Sequence, residues 1–385
     1  MFTRVEAENY RCLKKLGLTL GPYQVLVGPN ASGKSAVLDV IRFFSDLITL
    51  GPRSAVNERS ENFHDLVWGR IGWSFRLAVE VNVSTLLQGV KVPRFETLRY
   101  QIGIKLDPNS DIVSLDEEEI TLRETSGESV TILERFNNSV KYYSEVDGSP
   151  NDFVLGPSQS GLANLPMDQA KFPATTHFKE ALLLGTQAVI LDNEMLRGSS
   201  PPGQGQANLF NGLNLPRRIA LLAESFPKEF EAWIAHVRTA LPDVETIKTI
   251  LRPEDRHRYL MVRYKGGVEV PAWMLSDGTL RLIALTLLAY VPEANGVYLI
   301  EEPEVGVHPS AFETIFQSLS SVYYGQVIIS THAPLLVGLS KPEDLLCFSK
   351  TEHGTQVVRG SDHPLLKNWL SGVDVSDLFA SGVLS

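Results

Sequence analysis

Gly28-Pro-Asn-Ala-Ser-Gly33-Lys34-Ser35 has the spacing G-x-x-x-x-G-K-[ST], which suits a polyphosphate. Glycine at 28 and 33 lets the backbone curl until its N–H groups point inward at phosphate oxygens. Lys34 can then reach the β and γ phosphates, and the Ser35 hydroxyl can ligate Mg²⁺. The expected ATP-binding set is Gly28, Pro29, Asn30, Ala31, Ser32, Gly33, Lys34, Ser35 and Ala36, with Mg²⁺ accompanying the nucleotide. Apolar Val25-Leu-Val precedes the loop, and Ser35-Ala-Val-Leu-Asp-Val-Ile-Arg-Phe-Phe comes after it with helical spacing. The pattern predicts a strand, a loop and then a helix whose positive N-terminus lies under the phosphates.

A second set of reactive residues lies in the last third of the chain. Val297-Tyr-Leu-Ile300 reads as a buried strand running into Glu301-Glu302-Pro303, a Walker B pattern. One carboxylate of such a pair holds the metal through water and the next orients the attacking water. Register assigns the metal role to Glu301, beside Ser35, and the base role to Glu302. Gln326-Val-Ile-Ile-Ser330 reads as another buried strand, and it ends in Thr331-His332. Pro309 to Leu319 has helical spacing, so the two strands are predicted as parallel neighbours joined by a crossover helix. Adjacent glutamates are usually solvated and a lone histidine is usually structural. Their position at strand ends in a chain with a phosphate loop makes Glu302 and His332 the candidate catalytic residues. Met274-Leu-Ser-Asp-Gly-Thr279 precedes a largely apolar helix from Leu280 to Val291, and Ser276 is well typed as its N-cap.

Several elements must position these residues. Phe2 to Glu8 alternates as an edge strand, and Gly17-Leu-Thr-Leu-Gly-Pro22 is turn-like. Phe75 to Val83, Leu98 to Leu106 and Ser129 to Leu133 are strand-like and separated by turn sequences, which predicts an antiparallel block. Ser199 to Gly212 reads as a flexible loop. Pro216 to Phe226 and Pro227 to Val237 have helical spacing and open a helical lobe. Leu345 to Ser349 and Thr355 to Arg359 form an expected hairpin. The 385 residues, 43% of them of hydrophobic type, suit a large core divided into lobes. Acidic residues near the start do not suit a signal peptide, and no apolar stretch approaches the ~20 residues of a membrane span. Cys12 and Cys347 lack metal-ligand spacing and read as reduced residues of a cytoplasmic protein. The formal charge of −10 weakens an expectation of DNA binding without removing it.

Met274 to Thr279 resembles the signature sequence of ATP-binding-cassette (ABC) ATPases. Ser276 and Gly278 match that pattern, whereas Asp277 stands where a glycine is usual. The resemblance implies that Ser276, Asp277 and Gly278 dock in trans against nucleotide held by a second subunit. Asp277 should turn away from the phosphates, which its charge would repel. Glu301 to Pro309 resembles the Walker B and D-loop run, with Gly306, Val307 and His308 as the D-loop and glutamate and histidine where aspartates are commoner. Ser330 to Leu336 resembles the switch-histidine motif, which implies contact between His332 and the γ-phosphate. Together the motifs resemble ATPases of the RecF, SMC and OLD branch, and Leu209 to Leu215 resembles a stand-alone subgroup of them. Asn9-Tyr10-Arg11 resembles that branch's N-terminal element, where a basic residue nears the nucleotide; an ordinary surface turn is the equal alternative. The Q-loop has no assignment.

The resemblance implies an α/β P-loop NTPase of ABC-ATPase type, with a mixed central sheet, an antiparallel β subdomain and a helical signature lobe. Expected domains are 1–160 and 296–385 for the two parts of the nucleotide-binding lobe and 161–295 for the helical lobe. The long interval between Lys34 and Ser276 argues against a transporter motor. The sequence has no long coiled coil or Cys-x-x-Cys hook, and the stretch past His332 is short for an appended nuclease. The expected activity is ATP hydrolysis in a homodimer or higher oligomer whose closed state controls DNA or a separate effector such as a nuclease, in genome maintenance or anti-phage defence. The alternative is a slowly hydrolysing assembly scaffold. A direct nucleic-acid clamp would draw on Arg217, Arg218, Arg252, Arg256 and Arg258, which read more simply as solvated charges.

Overall fold

The structure, a computed structural model, describes residues 1–87, 94–203, 211–292, 296–352, 354–364 and 366. Within a central six-stranded sheet, Tyr23–Val27 lies between Gln326–Ser330 and Leu345–Thr351. Val297–Glu301 and then Thr186–Val189 extend one side, all parallel. Gly354–Arg359 closes the other side as an antiparallel edge. Alternation along these strands divides the core. Leu26, Leu299, Ile328, Leu346 and Phe348 belong to one apolar cluster, while Val25, Val27, Ile300, Val327, Ile329 and Leu345 belong to another. Both faces are covered, as a largely parallel sheet requires.

The first cluster packs against an eight-stranded antiparallel sheet that runs from Leu13–Thr19 through Phe2–Tyr10 and Ser74–Asn82 to Pro150–Val154. Helix Lys34–Leu50 fills the space between the two sheets. Val37, Val40, Ile41, Phe43, Phe44 and Leu47 are fully buried there, each contributing ~1.5–3 kcal/mol of transfer free energy. The helix stops at Gly51, which has φ 81° and donates its N–H to Leu47 O, and Pro52 then starts a new helical turn. Buried Gln326 stitches the sheets together: it accepts from Phe2 N at 2.8 Å and donates to Phe2 O at 2.7 Å and Gly21 O at 2.8 Å.

The second cluster joins helices Leu215–Ser225, Pro227–Ala240 and Asp277–Leu287 to the other face. Trp233 is buried among them and donates Nε1–H to Thr286 Oγ1 at 3.0 Å. This lobe also contains a three-stranded sheet, Val244–Leu251, Arg258–Tyr264 and Glu269–Pro271, which a helical lobe alone does not anticipate.

Two expectations need correction. Phe2–Tyr10 is not an edge strand, because it pairs with Leu13–Thr19 on one side and Ser74–Asn82 on the other. Gly17 to Thr19 belong to a strand rather than a turn. A Cβ on Gly17 would stand 2.8 Å from the flexible end of Arg4, whose guanidinium lies across it. Residues 204–210, in the expected loop from Ser199 to Gly212, lie outside the described residues, as do Leu209 and Phe210 of the subgroup-like segment.

Candidate functional site

The phosphate loop leaves the end of strand Tyr23–Val27 under tight steric control. Gly28 has φ 145°, and a Cβ there would meet Phe348 O at 2.3 Å. Gly33, at φ 111°, faces Thr355 and Leu13, and Thr355 Oγ1 donates to Ser32 O at 2.8 Å. The hairpin Leu345–Thr351 and Gly354–Arg359 therefore forms the floor of a loop more than 300 positions before it. Lys34 begins the helix, and its Nζ donates to Gly28 O at 2.7 Å and Pro29 O at 2.8 Å. Burial pushes the Lys34 ammonium down to about 8, against the opposing pull of the Glu302 and Glu301 carboxylates.

Ser35 is exposed at this helix N-terminus and donates Oγ–H to Glu301 Oε2 at 2.7 Å. Two residues 266 positions apart thus present a hydroxyl and a carboxylate at one point. Such hard oxygen donors suit Mg²⁺, which is ordinarily held by one or two protein groups plus phosphates. Among the described residues no group of three or more His, Cys, Asp or Glu side chains could hold a metal ion.

Past Glu301 the backbone turns sharply. Glu302 adopts φ 45° and donates its N–H to Ser330 O at 2.8 Å. A left-handed conformation at a non-glycine residue costs roughly 1–3 kcal/mol and aims the side chain where the regular strand would not. The Glu302 carboxylate comes within 3.6 Å of His332 Nε2, in proximity but beyond a normal hydrogen bond. Both side chains are partly exposed, so water can reach them.

Glu304 joins the site although the motifs do not single it out, and it stands within the acidic run that carries them. Its Oε1 accepts from Thr331 Oγ1 at 2.7 Å, His332 N at 2.9 Å and Ala333 N at 3.2 Å. This one carboxylate fastens the turn after Gln326–Ser330 to the turn after Val297–Glu301. A Pro303-fixed bend with a third acid just past it was the available signal.

Gly306, Val307 and His308, the expected D-loop residues, continue from this turn. Gly306 has φ 75°, and Gly278 packs so closely that a Cβ on it would lie 2.7 Å from Gly306 O. His308 caps the turn Pro309–Ala311 by accepting from Ser310 N at 3.3 Å, a capping task that an aspartate also performs. Ser276 accepts from Thr279 N at 3.2 Å and caps helix Asp277–Leu287. Asp277 turns toward Arg197, its ion-pair partner, and accepts from Asn193 Nδ2 at 2.9 Å. Among the described residues, Ser276, Asp277 and Gly278 have no hydrogen bond to the phosphate loop.

Arg11 is no free surface charge. It pairs at 3.1 Å with Asp39, which also accepts from Tyr10 Oη at 2.6 Å and Arg59 Nε at 2.8 Å. Asp39 lies one turn beyond Ser35, so this network ties the Asn9-Tyr10-Arg11 turn to the phosphate-loop helix.

A family described as "AAA domain, putative AbiEii toxin, Type IV TA system" matches residues 25–338, from the strand before the phosphate loop to the helix after His332. The chain belongs to this AAA-domain family. It is similar to the retron Vc95 probable ATPase of Vibrio cholerae, at 23% identity over 94% of this chain and 76% of the relative. It is also similar to the OLD nuclease of Thermus scotoductus, at 23% identity over 96% of this chain and 66% of that protein, just under two thirds of its length. An Smc head bound to the C-terminal winged-helix domain of ScpA matches with a TM-score of 0.57 and 14% identity, covering 93% of this chain and 97% of the head. A Pyrococcus yayanosii Smc head with coiled coil and joint gives a TM-score of 0.51 at 11% identity, over 96% of this chain and 99% of that one. This AAA-domain protein is therefore an ATPase of the RecF, SMC and OLD branch, with the ABC-type P-loop fold. No helix among the described residues is long and apolar enough to cross a membrane.

Proposed function

We propose that this ATPase is a two-subunit switch in which ATP, held by one copy, is completed by Ser276, Asp277 and Gly278 of a second. The 2.7 Å pairing of Ser35 with Glu301, beside Glu302 and His332, carries this reading. Lys34 and the loop N–H groups bind the β and γ phosphates. Ser35 and Glu301 hold Mg²⁺, which neutralises phosphate charge when bound. Glu302 orients water for in-line attack on the γ-phosphate, and His332 contacts that phosphate. Glu304 acts as a positioning residue, because it holds the backbone on which His332 stands. Catalysis is then mostly positioning and charge stabilisation.

The closed pair is the form that engages an effector. The similarity to a retron ATPase and to OLD nucleases supports anti-phage defence and a nuclease as that effector. Sizing Glu302→Gln by light scattering with ATP, with ADP and without nucleotide tests the switch. A doubled mass with ATP alone is expected. Identical masses in all three states would replace the switch with a constitutive assembly.

A further inference from the structure

The hairpin under the phosphate loop lies outside residues 25–338, the span of the family match, yet it meets the loop at both of its constrained glycines. Phe348, on strand Leu345–Thr351, sets its carbonyl oxygen 2.3 Å from the place a Cβ would take on Gly28. Thr355, on strand Gly354–Arg359, sets Oγ1 2.8 Å and Cγ2 3.2 Å from the same place on Gly33. Phe348 pairs with Val357 and Lys350 with Thr355, so both contacts come from one two-stranded element.

Thr355 does more than fill space. Its hydroxyl carries a single proton and has two carbonyls near it, Ser32 O at 2.8 Å and Cys12 O at 3.4 Å. The shorter contact takes the proton, because it has the ordinary length of an O–H···O bond. Ser32 is fully buried, so water does not stand in for the hydroxyl. A trans peptide is planar, with the carbonyl of one residue and the N–H of the next on opposite sides. By holding Ser32 O toward the hairpin, Thr355 turns the Gly33 N–H away from it. That N–H donates to no backbone carbonyl among the described residues. Gly33 stands at φ 111°, and glycine accepts either sign of φ, so no side chain of its own keeps this peptide from turning over.

We propose that Thr355 is a positioning residue for ATP binding: its hydroxyl holds the peptide between Ser32 and Gly33 so that an N–H, not a carbonyl oxygen, faces the polyphosphate. A loop attracts an anion when successive N–H groups point the same way, and one reversed peptide replaces an attraction with a repulsion. Thr355 acts on the nucleotide through Ser32 O. The inference rests on the phosphate-binding part of the proposed function and on none of its two-subunit part.

The test is titration of the full chain with MgADP, beside steady-state hydrolysis and thermal unfolding without nucleotide. Thr355→Val removes the hydroxyl at nearly constant shape. It should weaken MgADP binding and raise KM for ATP about tenfold, the scale of a lost hydrogen bond to a buried acceptor, with kcat falling much less. Thr355→Ser keeps the hydroxyl and should return both to within about twofold of the parent. Val357→Ala, on the same strand and packed on the core, should lower the unfolding temperature and leave KM near that of the parent. If Thr355→Val does not fold, Thr355→Ala carries the same comparison with Thr355→Ser. Parental MgADP affinity without the hydroxyl, no recovery in Thr355→Ser, or an equal rise of KM in Val357→Ala would each overturn the proposal. Any of these, with MgADP binding lost in Lys34→Ala, leaves the phosphate loop standing; a parent chain that binds no MgADP removes both.

Discussion

Around Lys34, donors meet acceptors within one chain: the ammonium bridges two loop carbonyls, Ser35 reaches Glu301, and Glu304 pins the His332 turn. Around Ser276, the surface is unfinished. Ser276 is exposed, and just before it Trp273 and Met274 are 55% and 70% exposed, with the Trp273 ring resting against Tyr259 at a 5.3 Å separation. The first region is organised to receive a charged ligand without rearranging its scaffold. The second presents apolar surface and a helix N-terminus outward, where the proposed second copy would dock. A half-site of each kind on every copy would make each copy dependent on another for turnover.

The sharpest way to break this comparison is to damage each half alone. Lys34→Ala should lower hydrolysis about a thousandfold or more and weaken nucleotide binding, because the loop loses its cation. Ser276→Arg should stop hydrolysis comparably while the isolated subunit still binds nucleotide as the parent does, measured by titration calorimetry at low protein concentration. If Ser276→Arg hydrolyses normally, Ser276 is an N-cap and nothing more.

Next in size, Glu302→Gln should lose about a hundredfold in kcat yet retain Mg-ATP, the scale of a lost general base. Glu301→Gln should also lose metal-dependent binding. Equal behaviour of the two neighbours in a magnesium titration would remove their division of labour.

Glu304→Ala should lower kcat about tenfold with KM for ATP little changed, since three donors lose their acceptor without any phosphate contact being touched. Glu304→Gln keeps an acceptor oxygen and should recover most of that loss. A matched fall in thermal stability and kcat, without rescue, would make the residue merely structural.

The smallest effect should appear in the pH dependence of binding. Lys34 is lowered to about 8 from 10.5, so the folded protein holds fewer protons than the unfolded chain between these values. Stability from this group should therefore rise with pH across that window, because a buried charge is relieved. ATP affinity should fall over the same range as the ammonium is lost, and Lys34→Ala should flatten that affinity profile. An affinity profile of the parent that is level from pH 7 to 9 would show that Lys34 stays charged.

The phosphate loop, the parallel strands ending in Glu301 and Ser330, and the crossover between them were legible because each couples a residue pattern to a steric demand. Alternation and apolar runs define strands; glycine at 28 and 33 permits conformations other residues resist. Strand Ile112–Glu124 was not legible, because Asp116 to Glu119 reads as a solvated acidic run. Its Glu118 is in fact buried, paired with Arg135 at 3.3 Å and accepting from Tyr100 Oη at 2.8 Å and Gly161 N at 2.6 Å. A carboxylate buried at that depth is decided by partners distant in sequence, which no local pattern reveals. Thr355 escaped for the same reason, whereas the acid just past Pro303 was a local signal for Glu304 whose partners Thr331, His332 and Ala333 are distant in sequence. Asp277 was expected to avoid phosphate, but its partners Arg197 and Asn193 lie on a helix whose approach sequence spacing does not disclose.

The sheet order also sets a schedule. Strand Tyr23–Val27 has no neighbour in its sheet until Gln326–Ser330 and Leu345–Thr351 have been made, and Phe348 and Thr355 supply the loop's floor. At ~5–20 residues per second, the ribosome needs roughly a quarter to a full minute to add the intervening chain. A nascent chain therefore carries its phosphate-binding sequence long before it can grip a nucleotide. A chain cut before Leu345–Thr351 and Gly354–Arg359 would lack the floor on which its phosphate loop rests.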